Sequence, residues 1–412
     1  MCVALRADAA VTDLVCAPGN AGTAELASTR PVDPNDPAAV AALAAELRPD
    51  LTVIGPEAPL VAGAADAVRA CGLTVFGPSA AAAAIEGSKA FAKDVMAAAG
   101  VPTAESLLCE GAAAVQSALD AFGPPYVVKE DGLAAGKGVL VTADRAAATE
   151  HAERAVAAVG RVLVEDYLDG PEVSLFGISD GASVLTLLPA QDFKRAYDGD
   201  RGPNTGGMGA YSPVPDVGAA QVEDLRRTVL EPTLAELARR GTPFVGVLYA
   251  GLALTRRGPQ VVEFNARFGD PETQVVLALL DTPVAGLLRA AATGTLAGYP
   301  RPQWRPGAAV TVVVAAEGYP SAPRVGDPVG GLAEAAAVPG VTVLHAGTAR
   351  DGDVVRSAGG RVLSITATGS SLSAARAAAY EAASLIRLAG AHYRRDIAVV
   401  AAERADAAGA GS

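Results

Sequence analysis

Between residues 13 and 78 the chain alternates short β-branched runs with Ala-rich helical stretches, in the order TDLVCA, AAVAALAAELR, LTVIG, AADAVRACG, LTVFG. Consecutive strands that each return through a helix lie parallel, so this stretch predicts a parallel α/β unit. Its strands run into PGNAG (18–22), GPEAPL (55–60) and GPS (77–79), loops on the carboxyl edge where open α/β sheets hold ligands. Ordinary βα turn chemistry accounts for the same residues, so the loops alone name no ligand.

A second region opens at EGSKAFAKDVMAAAGVPT, with Ser88 as a helix cap and Gly100 and Pro102 as its stop. It runs to about residue 297, where YPRPQWRP has the composition of a linker. Beyond it VTVVVAA, VTVLHAG and RVLSITAT read as strands and SLSAARAAAYEAASLI as a helix capped by Ser371. The end, ERADAAGAGS, is expected to fray.

Chemistry enters with PYVVKEDGLAAGKGVLVT, residues 125–142. Two β-branched runs bracket a loop of Gly and Ala, which predicts strand, loop, strand. A P-loop would need GK[ST] opening a helix; here Lys137 is followed by Gly138 and a strand. Glycines let backbone N–H groups close on an anion, and Lys129 and Lys137 add positive charge from two directions, which suits phosphate. A tight hairpin with solvated lysines is the competing reading, and the stretch alone does not separate the two.

In QVVEFNARFGDPET, Glu263 and Asn265 are two apart in a strand-like run, so both side chains leave one face. A carboxylate and an amide oxygen suit Mg²⁺, which completes its shell with water and phosphate. Arg267 continues that face and could grip a carboxylate or an acyl phosphate in bidentate fashion. A surface strand whose charges pair with each other is the alternative. In VLVEDYLDGPEVS, Glu165 to Leu168 could lie beside a base and read adenine through the backbone, with Glu172 taking ribose hydroxyls; a strand entering a β-turn at Asp169-Gly170-Pro171 fits equally. AQDFKRAYDGDRGPNTGGMGAYSP is too long and Gly-rich to read as packed structure, and it carries Asp192, Lys194 and Arg195. Such loops close over substrates.

The net charge of −12 offers no footprint for nucleic acid. The four cysteines, at 2, 16, 71 and 109, show no zinc spacing and read as small buried hydrophobes in a reducing compartment. His151, His345 and His392 lie far apart and suggest no metal site. No apolar run approaches the length of a bilayer span. A cytoplasmic protein acting on small molecules, without nucleic-acid or membrane partners, is expected.

The ordered set SKAFAKD, VVKEDGLAAGKGV, VEDYLDGPE, QDFKRAYDGDRGPNTGGMGAYSP and EFNARFGDPET resembles the ATP-grasp ligases. Together with IGPEAPLVAG, HAGT and YRRDI it is similar, over nearly the whole chain, to the phosphoribosylamine-glycine ligase family. GPNTGGMGAYSP and FGDPET are the specific motifs. The resemblance implies an α/β protein with an N-terminal Rossmann-like substrate domain (1–86), an ATP-grasp domain (87–297), a small α+β domain (298–403) and a tail (404–412). It implies joining of glycine to 5-phosphoribosylamine through a glycyl phosphate, with ATP and Mg²⁺ or Mn²⁺ as cofactors. By the same resemblance Lys93 and Lys129 hold ATP phosphates and the Gly136-Lys137-Gly138 loop folds over them. Glu165, Asp166, Tyr167 and Leu168 line adenine, Glu172 takes the ribose, and Glu263 and Asn265 carry the metal. Asp192, Lys194 and Arg267 handle glycine or the acyl phosphate, and Pro18, Gly19, Asn20, Gly55, Pro56 and Glu57 hold the phosphoribosyl group. Another ATP-grasp ligase, carboxylating or formate-using, or a silent nucleotide-binding protein are the alternatives.

Three departures stand out. Phe193 replaces a His found in many relatives, and GVLYAGLAL offers no acidic metal ligand on the strand before Glu263. The third is the start: relatives open with a strand and a GREHA-like turn, whereas MCVALRADAAVTDLVCAPGN reads as the second half of a helix and then a strand. The expectation is a true start upstream of Met1, since a missing central strand would leave neighbours unpaired at about 1–3 kcal/mol per buried group.

Overall fold

The computed structural model describes residues 1–133 and 138–409. In the N-terminal unit the expected parallel pairing is present but short: Val15–Cys16 pairs with Ser28–Thr29, and Thr52–Val53 with Val75–Phe76. Among the described residues no bridge joins the two pairs. Helix Pro37–Leu47 begins where Asp36 accepts from the N–H groups of Ala38 and Ala39.

Two four-stranded sheets make the centre. The first, in the order Ser106–Cys109, Val162–Glu165, Tyr126–Glu130, Val139–Thr142, is wholly antiparallel. Helices Ala112–Phe122 and Arg145–Val159 cover it, burying Val115, Leu119, Val128, Ala148, Ala152 and Val164. The second runs Val184–Thr186, Glu172–Asp180, Val245–Thr255, Gly258–Asn265. Helix Lys89–Ala99 starts at Ser88, whose Oγ accepts from Phe91 N, and stops at Gly100 in the left-handed region, as its sequence dictates.

A five-stranded sheet follows, in the order Gln191–Asp192, Gly209–Ser212, Ala308–Ala315, Arg361–Gly369, Val341–His345. Helix Leu372–Leu385, capped by Ser371, packs on it. This sheet corrects the reading of residues 190–213 as unpacked loop. Tyr211 pairs with Val310 and Gln191 with Tyr211, and Met208, Ala210 and Tyr211 are buried. Arg361 holds the turn by donating to the carbonyls of Gly206 (2.6 Å) and Asp270 (2.7 Å). The Gly-rich composition hid strands whose partners lie a hundred residues away.

Other expectations also change. The linker is tied down, because Leu280 and Trp304 form an antiparallel bridge and Arg305 N donates to Leu279 O. Helix Val399–Gly409 runs into the expected tail; Ala401 and Ala402, ahead of the tail, are buried, whereas Glu403, Arg404, Asp406 and Ala407 are exposed. Only Cys109 of the four cysteines is buried; Cys71 is exposed, and Cys2 and Cys16 lie between. No helix among the described residues is long and apolar enough to cross a membrane.

Candidate active site

Strand Tyr126–Glu130 carries Lys129 into the interior, 5% exposed. Its Nζ lies 2.8 Å from Glu165 Oε2 and donates to Val262 O at 2.9 Å. Burial pulls the ammonium down, but Glu165, Glu263 and Glu172 together outweigh it and the net shift is upward. Lys93 donates to Thr103 Oγ1 (2.9 Å) and Ala104 O (2.8 Å) and stands 3.3 Å from Glu165 Oε1. The Glu165 side chain, which sequence reading left without a task, therefore neutralises two lysines. Asp166 donates its N–H to Glu105 O and pairs with Arg257 at 3.3 Å. Tyr167 is exposed and Leu168 half-buried; among the described residues neither makes a backbone hydrogen bond. Gly136 and Lys137 lie outside the described residues. Gly138 O accepts from Glu130 N at 2.8 Å.

Lys89, which the motif SKAFAKD sets four residues before Lys93 on one helix face, is a second lysine of this region that the resemblance does not name. Its Nζ donates to Gly132 O at 3.0 Å, and burial lowers it while Glu263 opposes. Asp131 fastens the same corner, accepting from Ser88 Oγ (3.0 Å) and Ala90 N (3.2 Å).

On strand Gly258–Asn265, Glu263 faces Gly251 and Asn265 faces Tyr249 across the ladder. The register slips between Gly251 and Leu252, leaving Val262 as an extra residue. Its carbonyl is the one Lys129 meets. Burial would raise the Glu263 carboxyl, but Lys194, Lys129, Lys89 and Arg267 hold it below its ordinary value. Asn265 is 8% exposed. Among the described residues no three His, Cys, Asp or Glu gather as a metal cage. A carboxylate with one amide oxygen, facing a glycine, fits an ion that takes its other ligands from water and phosphate.

Arg267 leaves the end of this strand and meets the N-terminal unit: Nε lies 3.1 Å from Glu57 Oε2 and 3.6 Å from Glu86 Oε1. Burial lowers the guanidinium, and Glu86 and Glu57 more than offset it. Glu86 Oε2 accepts from Ala266 N at 2.6 Å, and burial pushes its carboxyl up to about 7. No local pattern marked Glu86, whose partner is 180 residues away.

Asp192 chelates Lys194 Nζ with both oxygens at 2.9 Å, and Glu172 stands 3.3 Å from the same ammonium. Glu172 thus sits beside the lysine as well as at the start of strand Glu172–Asp180. Behind them Tyr249 Oη donates to Glu272 Oε1 (2.8 Å) and meets Ser174 Oγ (2.8 Å). Burial, then Asp192, raises the Glu272 carboxyl.

The structure thus gathers Lys93 and Lys129 on Glu165, Lys194 between Asp192 and Glu172, and Arg267 on Glu57, and Lys194, Lys129 and Arg267 each act on Glu263. It does not bring the Asn20 side chain there. Asn20 Nδ2 donates to the carbonyls of His345 (2.8 Å) and Ala346 (3.0 Å), and Oδ1 accepts from Thr23 N (2.8 Å). Gly19, at φ +81°, has room for no side chain, since a Cβ would stand 2.8 Å from Thr23 Oγ1. Pro18 precedes it, and Gly55 and Pro56 lead into helix Glu57–Ala62, Gly55 facing open space.

Phosphoribosylglycinamide synthetase domains match in order: the N domain over residues 1–86, the ATP-grasp (A) domain over 87–273 and the C domain over 309–400. A phosphoribosylamine–glycine ligase of Streptomyces coelicolor is 62% identical over 404 residues, covering 98% of this chain and 96% of the relative. The crystal structure of phosphoribosylamine–glycine ligase from Thermotoga maritima superposes with a TM-score of 0.81 at 31% identity, covering 96% of each chain. The biotin carboxylase domain of the Hydrogenobacter thermophilus 2-oxoglutarate carboxylase, in complex with MgADP, shares the fold at TM-score 0.69 and 17% identity, over 92% of this chain and 86% of that one. The chain belongs to the phosphoribosylglycinamide synthetase family, the ATP-dependent phosphoribosylamine–glycine ligases.

Proposed function

We propose that this chain joins glycine to 5-phosphoribosylamine at the expense of ATP, with the reacting groups meeting at Glu263. The observation that carries this reading is one carboxylate in the field of three lysines and an arginine drawn from four segments. A carboxylate is a poor electrophile, so a glycine oxygen first attacks the γ-phosphorus of ATP and ADP leaves. The amine of phosphoribosylamine then attacks the acyl carbon, phosphate departs, and the amine gives up a proton. Neither step needs a covalent bond to the protein; alignment and charge neutralisation do the catalysis.

Lys129 and Lys89 offset phosphate charge, while Glu165 keeps Lys129 and Lys93 oriented. The backbone from Glu165 to Leu168 meets the adenine edge and Glu172 the ribose. Lys194, held by Asp192, receives the glycine carboxylate as it becomes an acyl phosphate. Arg267 spans from this strand to Glu57, joining the phosphoribosyl loops Pro18-Gly19-Asn20 and Gly55-Pro56-Glu57 to the reacting end. In this arrangement Asn20 shapes its loop and the loop's backbone faces the substrate. Mg²⁺ or Mn²⁺, held by Glu263 and Asn265, would supply charge that draws electrons toward the leaving phosphate oxygens. ADP release measured with glycine, with and without freshly made phosphoribosylamine, tests the reading. Release that ignores phosphoribosylamine, or proceeds equally without glycine, refutes it.

A further inference from the structure

On the far side of the residues that carry Asp192 and Lys194 lies Arg394, 1% exposed and among the largest fully buried side chains. Its Nε and Nη2 donate to the two oxygens of Asp396 at 2.8 and 2.6 Å, and Nη1 donates to Asp200 Oδ1 at 2.7 Å and to Arg195 O at 3.2 Å. The guanidinium carbon stands 4.9 Å from the centre of the Phe193 ring. Three of these contacts, Phe193, Arg195 and Asp200, belong to one segment, and the neighbouring residues repeat the docking. Asp396 Oδ2 accepts from Gly199 N at 2.9 Å, and Asp198 Oδ1 from Arg395 N at 2.7 Å.

Phe193 sits between Asp192 and Lys194 in extended chain, exchanging backbone bonds with Gly209 and Met208. Side chains alternate along such a chain, so the ring turns toward Arg394 while Asp192 and Lys194 turn together toward Glu172. A buried ion pair is a weak source of net stability, because desolvation offsets much of the attraction. What a planar five-donor group supplies is fixed geometry: it can grip Asp396 with two bonds, reach Asp200 and stack on a ring at once, which an ammonium cannot.

We propose that Arg394 is a positioning residue for the glycine end of the site, setting the height and tilt of the Asp192–Lys194 pair through Phe193, Arg195 and Asp200. This rests on the reading of Lys194 as the glycine-handling lysine. The C-terminal segment then shapes the amino-acid site without touching the substrate, and reaches the ATP end only through the 3.3 Å contact of Lys194 with Glu172.

Steady-state kinetics on the full chain test this with Arg394→Lys, Asp200→Asn and Lys194→Met. Arg394→Lys is expected to raise the KM for glycine about tenfold or more with the KM for ATP within about twofold, since misplacement by about an ångström costs one to two orders of magnitude. Asp200, with a side chain 72% exposed, keeps an oxygen for Arg394 Nη1 when changed to Asn, and Asp396 still holds the guanidinium with two bonds, so Asp200→Asn should fold and raise glycine KM by a few fold. Should Arg394→Lys not fold, Asp200→Asn alone decides. Glycine KM unchanged in the folded variants, or glycine and ATP KM rising in parallel, overturns the inference. If Lys194→Met itself leaves glycine KM unchanged, the reading of the glycine end falls, and this inference with it.

Discussion

Glu86 gives a quantitative test of the junction between the N-terminal unit and strand Gly258–Asn265. Its side chain is 9% exposed, and burial raises its carboxyl from 4.5 to about 7 even though Arg267 and the Ala266 N–H pull the other way. Between those two pH values the folded protein keeps a proton that the unfolded chain has given up. The resulting stabilisation is fully present below pH 4.5 and is lost as pH rises through 7. A difference of two to three pH units corresponds to about 3 kcal/mol. Glu86→Gln keeps the shape and an oxygen for Ala266 N but has nothing to ionise. Urea unfolding of both proteins at constant ionic strength should therefore show the variant gaining on wild type by about 3 kcal/mol between pH 5 and pH 8. A difference that stays flat with pH, or wild type gaining on the variant, would mean that the Arg267 pair outweighs burial, and the reasoning would fail.

Lys129→Met should abolish ADP release and lower stability by about 3 kcal/mol, because Glu165 is left buried with Lys93 as its remaining cation; adding Glu165→Gln should recover most of the stability in thermal melts and none of the activity. Glu263→Gln is expected to cut turnover at least about 100-fold. Asn265→Ala should raise the Mg²⁺ concentration for half-maximal activity about tenfold, read from metal titrations of the initial rate. Asn20→Asp sets a carboxylate against the carbonyls of His345 and Ala346. It should cost about 2 kcal/mol at pH 7, seen as a lower melting midpoint that recovers when acid protonates the new group.

Local chemistry was legible wherever the physical cause is local. Ser88 and Ser371 cap the helices they were expected to cap, and the apolar, β-branched runs near residues 310 and 365 are strands, because capping bonds span three residues and periodicity is read within one element. The 190–213 segment failed for the complementary reason. Glycines there do not loosen the chain; Gly209 has no side chain because a Cβ would stand 2.6 Å from Thr311 O on the neighbouring strand. Composition records the absence of a side chain, but whether that absence means freedom or close approach depends on a partner a hundred residues away.

The same limit explains which site residues escaped notice. Lys129 and Glu263 stand in motifs whose residue types announce a charge to be met, yet the groups that orient them do not. Glu165 looked like a backbone contributor until its side chain met two lysines, and Glu86 carries no mark in EGSK of the arginine it faces across the domain junction. A cation that must bind phosphate in some states and nothing in others needs a carboxylate to hold its rotamer while the site is empty. The sites of such carboxylates are set by three-dimensional closure, so they follow no spacing rule. Their cost is that three of the cations read as functional are already paired with carboxylates among the described residues: Lys129 with Glu165, Lys194 with Asp192, Arg267 with Glu57. On the proposed assignments, ATP and glycine compete with internal carboxylates for these three contacts. That competition favours the more highly charged phosphorylated species over the ground-state carboxylate, which is the direction catalysis requires.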